Sequence, residues 1–435
     1  MDKRLQVGID FSHKKADVCL MFPQGELLEP HLSFPNSLTG FGQLKSVLLD
    51  ARDAYVFDGI DISGEATGYY WMPLFLRLAD DPDLTEAALD LFLLNPRWLK
   101  WFKKSFPPDD KTDQKDPFYI AERTRTRRPA FTWQPQLETL SLRFYTRYRF
   151  HLAQDLTREK NYFTALLFLK LSAYRQFKPF SNTFGVTSSL ILSGQLDLDE
   201  LAQLPLDILA ERLTQLSGNR LPEVDKNALK LHDALQHSFP LPPALLPPIQ
   251  DVLNLTMQHI RFIQQQMTTT ETHITAELEK HPAIQKLATI PGVGLIFASG
   301  IGAELGDTKR FLQGTKWDKR KKRNRPRTLR NAEDSVAKLA GLWWPKNASG
   351  DFEAEERKMA KTGNKYLRYY LIQASDQMRK RIPEYTRYYD RKYLEVNKHQ
   401  HKRALVLTAR KGVGLFVGLL HRNEAYLPEE ERCPK

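Results

Sequence analysis

Runs of apolar, β-forming residues separated by turn residues open the chain. "LQVGIDFS", "ADVCLMF" and, after the turn Pro23-Gln24-Gly25, "LLEPHLSF" predict three short strands between residues 4 and 34, laid out as a meander. Helical spacing takes over from about Thr39 to Ala51. "AYVFDGIDIS" then predicts a fourth strand, "YYWMPLFLRLA" a helix and "ALDLFLLNP" a fifth strand closed by Pro96. The order βββαβαβ predicts an α/β domain on a mixed sheet over residues 1–130. Inside it Asp10 follows Val7-Gly8-Ile9 directly, an acid at the end of a strand whose neighbours are suited to burial.

From Leu137 the pattern turns helical. "LSLRFYTRYRFHLAQDLTREKNYFTALLFLKLSAYRQF" has no central proline or glycine and predicts one long helix, within a helical, nucleic-acid-contacting region over 131–248. The Pro-rich "FPLPPALLPP" at 239–248 breaks it. A second long helix follows from Ile249 to about Lys280, and residues 249–282 fit a coiled-coil or paired-helix arm suited to oligomerisation. Residues 283–395, glycine-punctuated, basic and aromatic, predict a second compact and mostly helical domain, with 396–435 as a basic helical tail.

At 435 residues the chain is too long for one ordinary core, in agreement with several domains. Lysine plus arginine number 64 against 52 aspartates plus glutamates, for a net charge of +12 and a pI of about 9.4. That balance points to a polyanionic partner, with nucleic acid the first candidate. Cys19 and Cys433 lie at opposite ends without CxxC spacing, so neither a disulfide framework nor a zinc site is readable and a reducing compartment is expected. The opening MDKRLQVGID lacks the apolar stretch of a signal peptide, and no window approaches about 18 uninterrupted apolar residues, so a cytoplasmic protein without a membrane partner is expected.

Four acids stand where chemistry could gather. Glu65, in "DISGEATGYYW", lies just beyond the fourth strand, so it and Asp10 can emerge at the same end of neighbouring strands. In "DDKTDQKDPFYIAERTR", Asp113 and Asp116 are spaced i, i+3 and share a helix face. Gathered carboxylates raise each other's pKa, and such a cluster stays ionised mainly where hard cations neutralise it. Mg²⁺ or Mn²⁺ takes oxygen ligands, and a two-ion site holds both the attacking and the leaving oxygen of a phosphodiester. Plainer roles are open to each: Asp10 as a turn or cap residue, Glu65 facing solvent, Asp113 and Asp116 as a solvated helix start. Their conjunction with the βββαβαβ order favours the metal site.

"LATIPGVGLIFASGIGAELGD" sets Gly292 and Gly294 between two apolar runs, the pattern of a helix-hairpin-helix whose glycines let backbone N–H groups approach a phosphate; a plain helix–helix turn has the same look. Of the fifteen residues of "KWDKRKKRNRPRTLR", nine are Lys or Arg and one is acidic, Asp318. Such a run is often a solvated tail. Flanked by Trp317 and the glycine hairpin, its Lys316, Lys319, Arg320, Lys321, Lys322, Arg323, Arg325 and Arg327 are instead expected on nucleic acid, with steep salt dependence and little sequence preference. Ser349 stands in the small-residue loop Asn347-Ala348-Ser349-Gly350, by default a turn or cap position.

Acid on the first strand, acid after the fourth and an Asp-x-x-Asp pair on a later helix resemble the RNase H-like, RuvC-type nuclease fold. "VGIDFSHKKADVCL", "GEATGYYWMPL", "LLNPRWLKWFKKS" and "KTDQKDPFYIA" together are similar to the N-terminal DEDD domain of the IS-one-ten family of insertion-sequence transposases, relatives of the Piv-type invertases. The family reads KTDxxDA where this chain has Pro117, a residue tolerated in a first helical turn. "IPGVG", "GAELGD", "LAGL", "ASG" and "KTGNKYLRYYLIQAS" follow in the order of the family's second domain, so the resemblance spans residues 5–130 and 284–380. The basic stretch at 316–332 is longer than the link found there in the family, leaving room for an added RNA or DNA contact.

The resemblance implies Ser349 as a DNA nucleophile, Asp10, Glu65, Asp113 and Asp116 as catalytic Mg²⁺ ligands, and Lys361, Asn364 and Arg368 as candidates for holding the scissile phosphate, since charge developing there needs fixed donors. It also implies a composite site, in which the acids of one protomer meet the serine domain of another in a homodimer or tetramer. Donor and target duplex DNA, a structured bridge RNA and a place at a prokaryotic nucleoid complete the expectation. Other readings of the residues are a RuvC-like metal-dependent endonuclease without covalent serine chemistry, a non-catalytic nucleic-acid-binding protein, and a sugar-kinase or actin-like ATPase suggested by "GIDFS" but lacking a second phosphate or adenosine loop.

Overall fold

The computed structural model describes residues 3–106, 115–126, 129, 132–195, 198–318, 321–345, 348–349, 352–353, 359–428 and 431. The chain forms two compact units. One comprises Met1–Leu140, Leu305–Arg368 and Lys392–Arg422, the other Ser141–Glu304, Tyr369–Arg391 and Asn423–Lys435.

In the first unit, β1 (Arg4–Phe11), β2 (Lys15–Met21) and β3 (Leu27–Pro35) make the antiparallel meander, and β4 (Gly59–Glu65) and β5 (Leu89–Leu94) add in parallel on the other side of β1. The strand order is β3-β2-β1-β4-β5. Side chains alternate across β1, and the alternation decides what each face does. Leu5, Val7 and Ile9 are buried with Leu44 and Leu48 of α1 (Leu38–Tyr55) and Phe75 and Leu78 of α2 (Met72–Ala79). Gly8 and Asp10 point to the opposite face. The fourth strand starts later than its composition predicts, because α1 runs on to Tyr55 and is closed by Val56 in the left-handed region at φ 51°.

Helix α3 (Pro96–Lys103) starts at an Asn95 cap, whose side chain accepts from the Arg97 N–H at 2.9 Å. Helix α4 (Lys115–Thr126) buries Pro117, Ile120, Ala121 and Thr124, one stripe at i, i+3, i+4 and i+7. Pro117 does not break it. In the first turn a backbone N–H has no intrahelical acceptor to lose. The stripe lies directly on β1: a Cβ on Gly8 would stand 2.0 Å from the Pro117 carbonyl oxygen and 2.5 Å from the Ala121 nitrogen. On β4, the buried Ser63 hydroxyl bonds the Thr124 hydroxyl and fixes the helix further along.

The second unit is helical. Helix α5 (Leu137–Lys170) stops short of the single run predicted to residue 177, with a separate turn at Tyr174–Phe177 closed by Lys178 at φ 48°. It runs antiparallel to α6 (Leu246–Leu278), tied by Arg149–Glu271 at 2.7 Å, Tyr145 stacked on His273 at 5.4 Å and Lys170 with Gln250. Phe163, Leu167, Leu213, Leu231, Leu253 and Ile260 form its core. In the first unit, α7 (Gln400–Arg422) buries Ala404, Thr408, Val413, Phe416 and Val417. By length and composition α7 could cross a membrane, and half of that stretch is buried inside the protein.

Candidate active site

The register of β1 and β4 ends at Ile9 opposite Gly64, so the next residues, Asp10 and Glu65, leave adjacent parallel strands side by side. Asp116 joins them from the first turn of α4, which is seated on Gly8, two residues before Asp10 in β1. Burial and then the Asp116 carboxylate push the Asp10 carboxyl up to about 6; Lys103 opposes the rise and Glu65 adds to it. The Phe11 backbone N–H bonds the carboxylate and lowers it. Glu65 accepts from the Thr67 hydroxyl at 2.6 Å. Two of the other predicted acids, Asp116 and Glu65, therefore act on Asp10, and the fourth, Asp113, lies outside the described residues.

The sequence alone did not point to Lys103. It closes α3, and its Nζ sits 2.8 Å from Asp116 Oδ1. Asp17 is a second: it pairs across from Asp10 in the antiparallel register, and although burial raises its pKa, bonds from Lys15, Ser33 and His31 hold the carboxyl below its ordinary value. Asp17 is thus neutralised by its own partners, whereas Asp10 faces two acids and one ammonium. That charge pattern fits a hard cation held by Asp10, Glu65 and Asp116. Among the described residues, no three acid, histidine or cysteine side chains already lie within reach of one ion.

Beside the acids α3 presents two tryptophans at i, i+3, Trp98 and Trp101, more than half exposed at 58% and 55%. Arg97 lies over the Trp101 ring at 5.4 Å, and the helix carries Lys100 and Lys103 and no acid. Exposed rings interleaved with cations are a surface for stacked bases and phosphates.

Ser349 lies on a strand rather than in a loop. Ala348–Ser349 (β8) pairs with Phe352–Glu353 (β9), Ser349 opposite Phe352. The neck of this excursion is closed by a bond from the Ala360 N–H to the Trp343 carbonyl at 3.0 Å. The three residues expected to hold phosphate divide. Asn364 caps the helix that starts at Lys365, its Oδ1 accepting from Tyr366 and Leu367 N–H at 2.9 and 3.0 Å. Arg368 donates to the Ala340 and Lys361 carbonyls at 3.0 and 3.3 Å, and burial lowers its pKa. Lys361 is exposed, in the left-handed region at φ 50°.

The basic run folds into a second two-stranded ribbon, β6 (Thr315–Asp318) against β7 (Arg323–Pro326), with Lys316 opposite Arg325. Lys316, Arg323 and Arg325 are exposed on it, and Lys321 and Lys322 lie at its turn; Lys319 and Arg320 fall outside the described residues. Asp318 stabilises the ribbon by accepting from the Lys321 N–H at 3.2 Å and lying 3.6 Å from Arg325. Arg327 differs from the rest. Its guanidinium donates to the Phe311 carbonyl at 2.9 Å, to the Asn331 carbonyl at 3.3 Å and to the Ser335 hydroxyl, which makes it a structural clamp.

Gly292 and Gly294 belong to the second unit, at φ 90° and 61°, Gly292 just ahead of the helix Gly294–Leu305 and Gly294 its first residue. Gly292 meets a need of the protein itself, since a Cβ there would lie 2.9 Å from the Gln377 backbone; Gly294 faces open space.

Two family models match the chain. One, described as a transposase and carrying the DEDD and IS110 labels, covers residues 7–169, which hold the acids. The other, described as the transposase IS116/IS110/IS902 family, covers residues 326–390, which hold Ser349 and the Lys361–Arg368 segment. The class is that of the transposases, enzymes that act on DNA. The chain belongs to the IS110 family. None of the curated proteins matches it.

Proposed function

We propose that this transposase cuts and rejoins donor and target DNA through a serine–DNA covalent intermediate. The observation that carries the reading is the meeting of Asp10, Glu65 and Asp116 at one end of the sheet, in a chain whose second family match contains Ser349. The strand order β3-β2-β1-β4-β5, with acids at the ends of β1 and β4, supports an RNase H-like, RuvC-type domain.

In this reading Asp10, Glu65, Asp113 and Asp116 hold Mg²⁺ or Mn²⁺. When bound, the ion offsets the charge of the phosphodiester and fixes its position. Ser349 loses its hydroxyl proton as Oγ attacks the scissile phosphorus, the deoxyribose oxygen leaves and takes up a proton in turn, and the phosphoserine ester conserves the bond for the hydroxyl that rejoins the strands. Lys361, an exposed cation, acts on the phosphate, with Asn364 and Arg368 shaping the loop that carries it. The acids and the serine come from different protomers of a dimer or tetramer. A bridge RNA guides the choice of DNA; the exposed basic ribbon and the net charge of +12 support a polyanionic partner of that size. The working place is the nucleoid.

A second reading has one observation in its favour. The same meeting of Asp10, Glu65 and Asp116 also suits a metal-dependent endonuclease in which water, not Ser349, attacks the phosphodiester. The two separate in one experiment. The full chain with its co-purified RNA is mixed with DNA spanning its element junction and Mg²⁺, then quenched in detergent. An adduct in the wild type, lost in both Ser349→Ala and Asp10→Ala, is the expected result. Cleavage without adduct that survives Ser349→Ala would establish hydrolysis instead.

A further inference from the structure

At the root of the basic ribbon lies a cavity of about 260 Å³, all of whose walls belong to the first unit. Lys316 enters it from β6, Arg327, Asp334 and Lys338 from in and beside the helix Leu329–Ala340, and Arg410 from α7. Trp343 supplies a flat apolar wall, with the Lys338 ammonium over its ring at 5.5 Å. Four cations therefore face one acid, Asp334, which holds Arg410 at 2.6 Å and aims it. Arg327 is fixed by its bonds to Phe311, Asn331 and Ser335. Cations around a partly buried indole suit a ligand that is both planar and anionic.

Two features narrow the ligand. Lys316 belongs to the ribbon, so a strand following the ribbon's cations reaches the cavity without a break. Trp343 is also the residue whose carbonyl closes the neck of the segment bearing Ser349. The geometry points to a seat for one unpaired deoxynucleotide of the DNA strand, its base against Trp343 and its phosphate among Lys316, Lys338 and Arg410. This deepens the proposed function, on which the choice of DNA over RNA rests. Holding one nucleotide out of the stack beside the neck of the serine segment would fix the register of the strand to be cut.

Single-stranded 20-mers of mixed sequence, carrying 5-iodo-deoxyuridine at successive positions, test the seat by irradiation with the full chain and mapping of the linked peptide. The expected product is a crosslink at Trp343. Trp343→Leu should abolish it and weaken binding by about tenfold, in the range of one lost base stack. Trp343→Phe retains a ring and should retain most of the affinity, which keeps the result readable if the leucine variant unfolds. Lys338→Gln should weaken binding in the same direction. Crosslinks confined to Trp317, Trp98 or Trp101, or no crosslink at about 50 mM salt, where phosphate contacts are strongest, would overturn the seat. An RNA 20-mer that links to Trp343 better than DNA would replace DNA as the occupant. Ser349→Ala should leave crosslink and affinity unchanged, so failure of the serine chemistry and failure of the nucleotide seat give different results.

Discussion

Asp10 shows how one residue records the demands of a site. It stands opposite Asp17 in the sheet, yet burial and the carboxylates of Asp116 and Glu65 raise Asp10 to about 6, while hydrogen bonds from Lys15, Ser33 and His31 hold Asp17 low. A folded pKa above the unfolded one means that the protein favours the protonated acid. Stability present below about pH 4 is therefore lost as pH rises toward about 6, where Asp10 ionises against its surroundings. Asp10→Asn cannot ionise and still offers an oxygen to the Phe11 N–H. With no divalent ion present it should be more stable than the wild type by roughly 1–2 kcal/mol at about pH 7.5, after discounting for the carboxyl's partial exposure, and equal to it near pH 4. Thermal unfolding across that range measures the difference. A variant no more stable than the wild type at the upper end would mean that burial and the neighbouring acids do not strain ionised Asp10.

At the level of elements, α4 delivers Asp116 only because Gly8 lets the helix backbone touch the strand. In Gly8→Ala the new methyl meets the Pro117 oxygen and the Ala121 nitrogen, both backbone atoms that cannot turn aside. The helix must lift, at a cost of about 1–3 kcal/mol or more, and Asp116 moves with it. Gly42→Ala is the control: nothing lies within 4 Å of its Cβ, and removing a glycine inside α1 should gain about 0.5–1 kcal/mol. Unfolding midpoints that move in the same direction in the two variants would refute the tight seat. The strands were legible because period and turn residues are local patterns. Lys103 was not, since it reaches Asp116 only through the way α3 and α4 fold together. One group can serve two purposes. Asn364 and Arg368, candidates for holding phosphate by the family resemblance, also serve the fold as a helix cap and a carbonyl clamp.

For the whole molecule the excess of 12 positive charges matters less than where the cations are held. Units made of segments far apart in the chain put the ribbon, the serine segment and the acids in one compact body, an arrangement that reading in chain order has no means of seeing. On that body the ribbon's Lys316, Lys322, Arg323 and Arg325 are exposed, while Arg327 is locked into the fold. Cations that neutralise phosphates release counterions, and the logarithm of affinity then falls with the logarithm of salt by about 0.9 for each phosphate on duplex DNA. Replacing those four exposed residues by glutamine should flatten that slope by up to about 3–4, without changing which DNA is preferred. Fluorescence anisotropy of one duplex between about 50 and 200 mM salt reads it directly. Arg327→Gln should behave in the opposite way, lowering the unfolding temperature because the Phe311 and Asn331 carbonyls lose their donor, and leaving the slope nearly as it was. A slope that falls with Arg327 and holds with the other four would reverse the assignment, making the ribbon an ornament and the clamp the DNA contact.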